Sequence, residues 1–199
     1  MVDEALLELV FHGREERNLE YKCSMSWHEP ATKAKIAKSA MAMANIPDGG
    51  TIILGIEKHG ETYIEKGMKQ DHIESFKQDD VMEWVNEYAD PYVELTVTLV
   101  PKDHKVFIAI QIREFDQLPV VCKKVGEEGL KRGAFFTRSR RKYETAQVAT
   151  QTETREILDL AVDKEIRRLR SRGFITAVEK IIPYVTTDKH LFQQQLGDL

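Results

Sequence analysis

The sequence REERNLEYK at residues 14–22 carries the pattern from which the rest of the chain can be interpreted. In its second half apolar residues alternate with Glu20 and Lys22, as they do in a strand with one buried face. This alternation predicts that Glu20 and Lys22 project from the same face. Because Glu15 lies just upstream, the segment offers carboxylates and an ammonium group to a metal ion and a phosphate. A solvated strand face that carries an ion pair is the alternative interpretation.

Length and composition predict one folded domain with a helical appendage. The chain has 199 residues, of which 42% are hydrophobic and 31% are charged, a balance typical of a globular protein with a buried core. We predict an α/β domain of the α+β type over residues 1–150 and a C-terminal helical extension over residues 151–199. No apolar run is long enough to span a bilayer, and the N-terminus carries acids where a signal peptide carries bases. These features predict a cytoplasmic protein without membrane partners.

The cysteines and histidines argue against a disulfide and against zinc. Cys23 and Cys122 lack the spacing of a metal-binding pair, and both lie in apolar, strand-like sequence, so we predict buried free thiols in a reducing compartment. The six histidines form no HxxxH or Cys/His pattern, which predicts that the chain holds no zinc. Walker, dinucleotide-binding, esterase and metalloprotease motifs are also missing, so no nucleotide cofactor is expected.

The net charge of −4 conceals two segments of opposite sign. Residues 57–94 hold eleven acidic and four basic residues, whereas residues 123–142 hold eight basic and two acidic ones. The eight bases are candidate phosphate contacts, because an acidic protein can still bind a polyanion with bases gathered on one face. They are Lys123, Lys124, Lys131, Arg132, Arg138, Arg140, Arg141 and Lys142. Solvated surface is the alternative, and Phe135 and Phe136 within the run either stack on bases or pack in the core.

The spacing of apolar residues predicts an alternation of helices and strands. We expect helices at residues 3–11, 31–45, 71–89 (interrupted near residues 78–80) and 144–172, and strands at residues 19–24, 51–57, 92–100, 105–113 and 118–125. The strands at 92–100 and 105–113 are joined by a short polar turn and predict a hairpin. On the helix at 31–45, Lys35 is expected in solvent, whereas Lys33 and Lys38 face either solvent or phosphate.

A turn leads from that helix into a buried strand. A proline and two glycines at residues 45–50 favour the turn, and residues 51–57 are apolar almost throughout, which is typical of a strand buried on both faces. A carboxylate at the exit of such a strand, here Glu57, commonly lies at a sheet edge where sites are built. Glu57 equally suits the first position of an exposed hairpin, because residues 58–60 are typical of a turn.

Four features together resemble the Schlafen-type AlbA-like domain in their order and spacing. They are Glu15-x4-Glu20-Tyr21-Lys22, the helix end at 40–45 with Gly49-Gly50, the strand at 52–57, and the sequence RGAFFTRS at 132–139. The resemblance extends from about Glu8 to Leu158. It implies a compact α/β domain with a mixed, largely antiparallel sheet and flanking helices.

The resemblance also implies roles for individual acids. In the vertebrate members of the family, an E-x4-E pair and a third acid after the Gly-Gly turn form a three-carboxylate nuclease site that acts on transfer and ribosomal RNA. The pair falls on Glu15 and Glu20, and the third acid falls on Glu57. These residues would hold Mg²⁺ or Mn²⁺, which prefer oxygen ligands and activate an attacking water or hydroxyl. Lys22 would stabilise charge that develops on the phosphate.

Departures from the family leave two functional classes open. The third acid is a glutamate instead of the usual aspartate, and one copy of the domain stands where the vertebrate proteins have two. We therefore expect a homodimer in which two copies of the domain form a two-lobed groove, and we expect residues 150–199 to be used in dimerisation. In the first class the chain is a metal-dependent endoribonuclease that cleaves tRNA-like or single-stranded RNA. In the second it is a non-catalytic DNA- or RNA-binding regulator or a subunit of a defence complex. A protein–protein adaptor that uses the acidic segment 57–94 is a third interpretation.

Overall fold

The computed structural model describes residues 3–140, 143–148 and 150–174. In chain order the elements are α1 (Glu4–Phe11), β1 (Leu19–Lys22), α2 (Pro30–Ala44), β2 (Gly50–Leu54), β3 (Ile56–His59), β4 (Thr62–Glu65), α3 (Gln70–Ser75), α4 (Gln78–Tyr88), β5 (Ala89–Asp90), β6 (Leu95–Lys102), β7 (Lys105–Ile112), β8 (Val121–Cys122), β9 (Phe136–Arg138), β10 (Thr145–Gln147) and α5 (Gln151–Ser171). The chain divides into two compact units, Met1–Leu160 and Ala161–Leu199. The boundary expected after residue 150 stays a prediction.

The main sheet has four strands in the order β1-β2-β7-β6. β1 and β2 are parallel, because the intervening helix α2 returns the chain to the same end of the sheet. The pairs β2–β7 and β7–β6 are antiparallel, and β6 and β7 form the predicted hairpin. Three two-stranded sheets complete the fold, each of them antiparallel. The mixed, largely antiparallel α/β architecture is therefore confirmed.

Strand alternation separates the two faces of this sheet. Leu6 and Val10 of α1 pack with Tyr21 of β1 and Ile53 of β2 in a buried apolar cluster on one face. Helix α2 packs against β2 and β7, and ten of its fifteen residues are buried. Glu20 contacts α2, so the glutamate and its neighbour Tyr21 project from opposite faces of β1.

A glycine interrupts the strand that was predicted at residues 51–57. Gly55 has a φ of +103°, and a Cβ at this position would lie 2.9 Å from the backbone carbonyl carbon of Gly67. The chain changes direction there, so β2 ends at Leu54 and a second strand, β3, pairs with β4 in a hairpin. Glu57 lies on this hairpin opposite Ile64, and it is not the exit of a strand buried on both faces.

Three further predictions are corrected by the structure. The strand expected at 118–125 is only the two-residue β8, and α5 begins at Gln151 because residues 145–147 form β10 against β9. Cys23 is exposed because β1 ends one residue before it, whereas Cys122 is buried as predicted. The interruption of the helix at 71–89 is confirmed by the separate helices α3 and α4. No helix in the described part of the chain is long and apolar enough to cross a membrane.

Candidate nucleic-acid interface

A pocket of about 360 Å³ lies beside β1, α2 and β10 and contains the centre of the sequence pattern. We call it the Glu20 pocket. Its lining residues are Glu15, Glu20, Lys22, Lys35, Lys38, Ser39, Glu128, Arg138, Tyr143, Glu144 and Thr145. Four acids, four bases and three hydroxyl groups therefore surround one opening. The arrangement can offer several hydrogen-bond donors to an anionic group while keeping its own charges balanced.

Glu20 is held by two hydrogen bonds and an ion pair. Its Oε1 accepts hydrogen bonds from Lys22 Nζ at 2.5 Å and from Ser39 Oγ at 3.1 Å. Its Oε2 lies 3.2 Å from Nη1 of Arg138 in an ion pair, although the geometry is not that of a hydrogen bond and the oxygen is buried. The side chain is only 9% exposed, so its charge is compensated inside the protein. The prediction that Glu20 and Lys22 share one face is confirmed.

Glu15 joins β1 to the β3–β4 hairpin. Its Oε1 accepts from the backbone N–H of Tyr21 at 3.1 Å, and its Oε2 accepts from the hydroxyl of Tyr63 at 3.1 Å. Burial raises the pKa of Tyr63, and the negative charge of Glu15 raises it further. Burial also raises the pKa of Tyr21 to about 12, so both phenols stay protonated and can donate. A hydrogen bond with Tyr63 raises the pKa of Lys58, whose Nζ lies 5.5 Å from the ring centre.

The structure does not bring the three predicted metal ligands together. Glu57 does not line the Glu20 pocket, and its side chain is 45% exposed and lies 3.4 Å from His59 Nε2. Among the described residues, no group of three His, Cys, Asp or Glu side chains is placed to hold a metal ion. The carboxylates of Glu15 and Glu20 are also already bound by protein donors. The residues therefore do not fit the Mg²⁺ or Mn²⁺ that the resemblance implied.

The basic residues of 123–142 do not form one free surface. Lys123 donates to the carbonyl of Asn86 at 2.7 Å, and Lys124 pairs with Glu87 at 2.5 Å. Lys131 and Arg132 are exposed, while Arg141 and Lys142 lie outside the described residues. Both lysines therefore contact α4 within the acidic segment 57–94, and Lys124 pairs there with an acid.

Arg138 and Arg140 have different environments although they are two residues apart. Arg140 is exposed and lies 2.7 Å from Glu156, which also pairs with Arg17 at 2.5 Å. Burial alone would raise the pKa of Glu156, but hydrogen bonds from the two arginines outweigh burial and lower it. Arg138 is only 2% exposed, so its guanidinium is not presented to solvent, and its predicted contact with phosphate stays a prediction. Arg138 is the last residue of β9, whose three residues are all buried, whereas Arg140 lies beyond the end of the strand.

The two phenylalanines in the basic run also separate. Phe136 is 1% exposed and belongs to the core, which confirms the packing interpretation for this ring. Phe135 is 41% exposed and remains available for stacking. Lys38 Nζ lies 5.8 Å from the centre of the Phe136 ring, so the lysine covers this part of the core.

Helix α2 contributes Lys35, Lys38 and Ser39 to the pocket; the sequence leaves a phosphate-facing position open for Lys38, but Lys35 and Ser39 were not predicted to belong to the site. Lys35 lies 3.6 Å from the carboxylate of Glu128, and Lys38 Nζ donates to the backbone carbonyl of the same residue at 3.1 Å. Lys35, Lys38 and Ser39 follow the spacing i, i+3 and i+4, which places them on one side of a helix. That spacing was visible in the sequence. The partner Glu128 was not, since it is about ninety residues away in the chain.

The sequence of this chain matches the family described as Schlafen, AlbA_2 over residues 15–147. The matched part includes both strands of the parallel pair, helix α2 and the strands β9 and β10. The chain therefore belongs to the Schlafen AlbA_2 family. No curated protein matches it.

Two solved structures resemble the fold. The crystal structure of the DIP2311 protein from Corynebacterium diphtheriae has a TM-score of 0.50 and 16% identity, over 77% of this chain and 27% of that chain. This chain thus spans about a quarter of that protein's length. The solution structure of the N-terminal domain of a RecG-related protein from Nitrosomonas europaea has a TM-score of 0.47 and 20% identity, over 74% of this chain and 94% of that one. At this level of identity the likeness concerns the fold alone.

Proposed function

We propose that this protein binds nucleic acid at the Glu20 pocket. The observation that carries the proposal is the group of three lysines, Lys22, Lys35 and Lys38, around one opening in a member of the Schlafen AlbA_2 family. Lysine ammonium groups hold phosphates as mobile point charges. The hydroxyl group of Thr145 lines the same opening and can add a neutral donor.

Lys35 and Lys38 are the lysines whose contacts a phosphate can replace at least cost. Lys35 is half exposed, and both lysines bind Glu128, which is itself exposed. Lys22 differs because its side chain is 16% exposed and is fixed on Glu20. A phosphate therefore exchanges with Glu128 at the rim, while Lys22 supplies positive charge from a fixed position.

We expect the double variant Lys35→Met, Lys38→Met to bind single-stranded oligonucleotides more weakly than the wild type. Each phosphate contact adds about 0.7 to the slope of log affinity against log salt for single strands, so the slope should fall by about 1.4. Methionine keeps the aliphatic part of each side chain, which limits damage to packing. The measurement is fluorescence anisotropy with labelled RNA and DNA over a range of salt concentrations.

The matched control is Lys102→Met, which removes an exposed lysine at the end of β6, outside the pocket. Its affinity and salt dependence should equal those of the wild type. A wild-type affinity that does not respond to salt would contradict the proposal and favour the adaptor interpretation. The same loss of binding free energy per lysine removed in both variants would show that net charge, and not the pocket, governs binding.

Metal-dependent cleavage of RNA is the second candidate function. Its structural support is that Glu15 and Glu20 line one pocket with Lys22. The position of Glu57 speaks against it, so we expect binding without Mn²⁺-dependent cleavage. The test incubates transfer RNA and single-stranded RNA and DNA with and without Mn²⁺, using the wild type, Glu20→Ala and Glu57→Ala.

Glu61→Ala serves as the control for the third acid, because Glu61 is an exposed glutamate in the same hairpin. Cleavage that requires Mn²⁺ and is lost in Glu57→Ala but kept in Glu61→Ala would contradict our expectation. It would show that the three acids converge when RNA is bound. The predicted homodimer is a separate proposal, which light scattering with and without RNA tests.

A further inference from the structure

Arg138 makes an unusual set of contacts for a residue in a basic run. Its Nε donates to the carbonyl of Arg17 at 3.2 Å, and its Nη2 donates to the carbonyls of Glu16 at 3.1 Å and Leu19 at 3.3 Å. Its Nη1 faces the Glu20 carboxylate at 3.2 Å. All four contacts go to one short segment, residues 16–20, which is more than a hundred residues away in the chain.

This segment is a tight turn that enters β1. Glu16 and Leu19 exchange two backbone hydrogen bonds, at 3.0 and 3.2 Å. Arg17 completes a reciprocal pair, because its Nε donates to the carbonyl of Arg138 at 3.0 Å. The guanidinium thus fills a space whose lining consists of carbonyl oxygens and one carboxylate. A planar group with five fixed donors matches such a lining, whereas a lysine ammonium cannot reach all of these acceptors at once.

The contact with Glu20 connects this turn to the pocket. Glu20 uses Oε2 toward Arg138 and Oε1 toward Lys22 and Ser39. Arg138 therefore holds the Glu20 carboxylate at one oxygen, and the other oxygen holds the ammonium group of Lys22. A buried carboxylate without Arg138 would lose the charge that compensates it and would have to move toward solvent. Lys22 would move with it.

We propose that Arg138 is a positioning residue of the Glu20 pocket: it fixes Glu20 and thereby Lys22 without touching nucleic acid. Glu20 is then the ion-pair partner through which Arg138 acts and not a ligand for a divalent cation. The proposal rests on nucleic-acid binding at this pocket. It differs from a purely structural role because it makes the binding contribution of Lys22 depend on Arg138.

The experiment is a double-mutant cycle on oligonucleotide affinity with Arg138→Lys, Lys22→Met and the combined variant. Arg138→Lys keeps the positive charge and removes the fork of donors. We expect it to weaken binding on the order of tenfold, which is a common size for coupling between contacting groups. We expect the combined variant to bind about as weakly as Lys22→Met alone. In the combined variant the slope of log affinity against log salt should be lower than in the wild type by about 0.7, as in Lys22→Met alone, and not by twice that amount.

Other outcomes would overturn the proposal. Unchanged affinity in Arg138→Lys, with a lower melting temperature, would mean a structural role alone. Additive losses in the combined variant would mean that Arg138 and Lys22 act independently. Arg113→Gln is the control, because Arg113 is a highly exposed arginine whose side chain pairs with Glu94. Its affinity should be that of the wild type.

Two further measurements keep the test informative. If Arg138→Lys does not fold, Ser39→Ala replaces it, because it releases Glu20 from the other side without changing charge. Its loss of affinity should likewise be non-additive with that of Lys22→Met, and additivity would overturn the proposal. If the wild type binds no oligonucleotide, the proposed function fails by itself. The melting temperatures of Glu20→Gln, Arg138→Lys and their combination then test the coupling directly, and additive shifts would refute it.

Discussion

Gly49→Ala is expected to destabilise the protein by about 2–5 kcal/mol, with strong loss of folded protein in a domain of ordinary stability. Gly49 has a φ of +70°, and a Cβ at this position would lie 2.1 Å from the carbonyl oxygen of Ile112. The left-handed backbone costs a residue with a Cβ about 1–2 kcal/mol. Pressing the Cβ into the last residue of β7 adds about 1–3 kcal/mol, since backbone cannot rotate away as a side chain can. The measurement is the free energy of unfolding in urea.

Gly60→Ala separates the two contributions. Gly60 has a φ of +63°, and nothing lies within 4 Å of the position of its Cβ. This variant should therefore lose only the backbone contribution, about 1–2 kcal/mol. Equal losses at the two glycines would contradict the close approach of residue 49 to β7. The comparison matters for the site, because the turn at Gly49 leads into β2, the strand that pairs with β1.

Local patterns in the sequence were sufficient for the elements that surround the site. Alternation placed Glu20 and Lys22 on one face of β1, and the structure shows them in contact. The apolar spacing of α2 predicted the helix that carries Ser39, with bounds within one residue of those observed. These predictions succeeded because side-chain periods of strands and helices depend only on neighbours in the chain.

Local patterns were not sufficient where a distant segment decides the environment. Arg138 belongs to a run of bases, and nothing in that run shows that its partners are the carbonyls of a turn more than a hundred residues away. The expected strand at 51–57 is wrong for a local reason instead, and of the two placements left open for Glu57 the hairpin is the one observed. Gly55 was included in an apolar run, but the backbone there takes a positive φ and the strand ends. A glycine inside a strand pattern is a signal of such a break, and it could have been used.

Asn45→Ala is expected to cost about 3–5 kcal/mol of unfolding free energy, because it leaves three buried backbone groups without partners. Asn45 is 1% exposed, and its Nδ2 donates to the carbonyls of Val120 at 2.8 Å and Phe136 at 2.9 Å. Its Oδ1 accepts from the N–H of Val120 at 2.7 Å. Each buried group left unpaired costs about 1–3 kcal/mol, and partial relaxation or entry of water lowers the sum.

Asn18→Ala is the matched control, because Asn18 is exposed and its side chain makes no hydrogen bond within the described chain. Its unfolding free energy should stay within about 0.5 kcal/mol of the wild type.

Asn45 also tethers the start of β9, the strand that carries Arg138. Under conditions where Asn45→Ala is still folded, this variant should therefore bind oligonucleotides more weakly. The slope of its log affinity against log salt should also be lower, as expected for Arg138→Lys. Full affinity in a destabilised Asn45→Ala would mean that Arg138 keeps its place without this tether, since the carbonyls of residues 16–19 would then suffice to hold it.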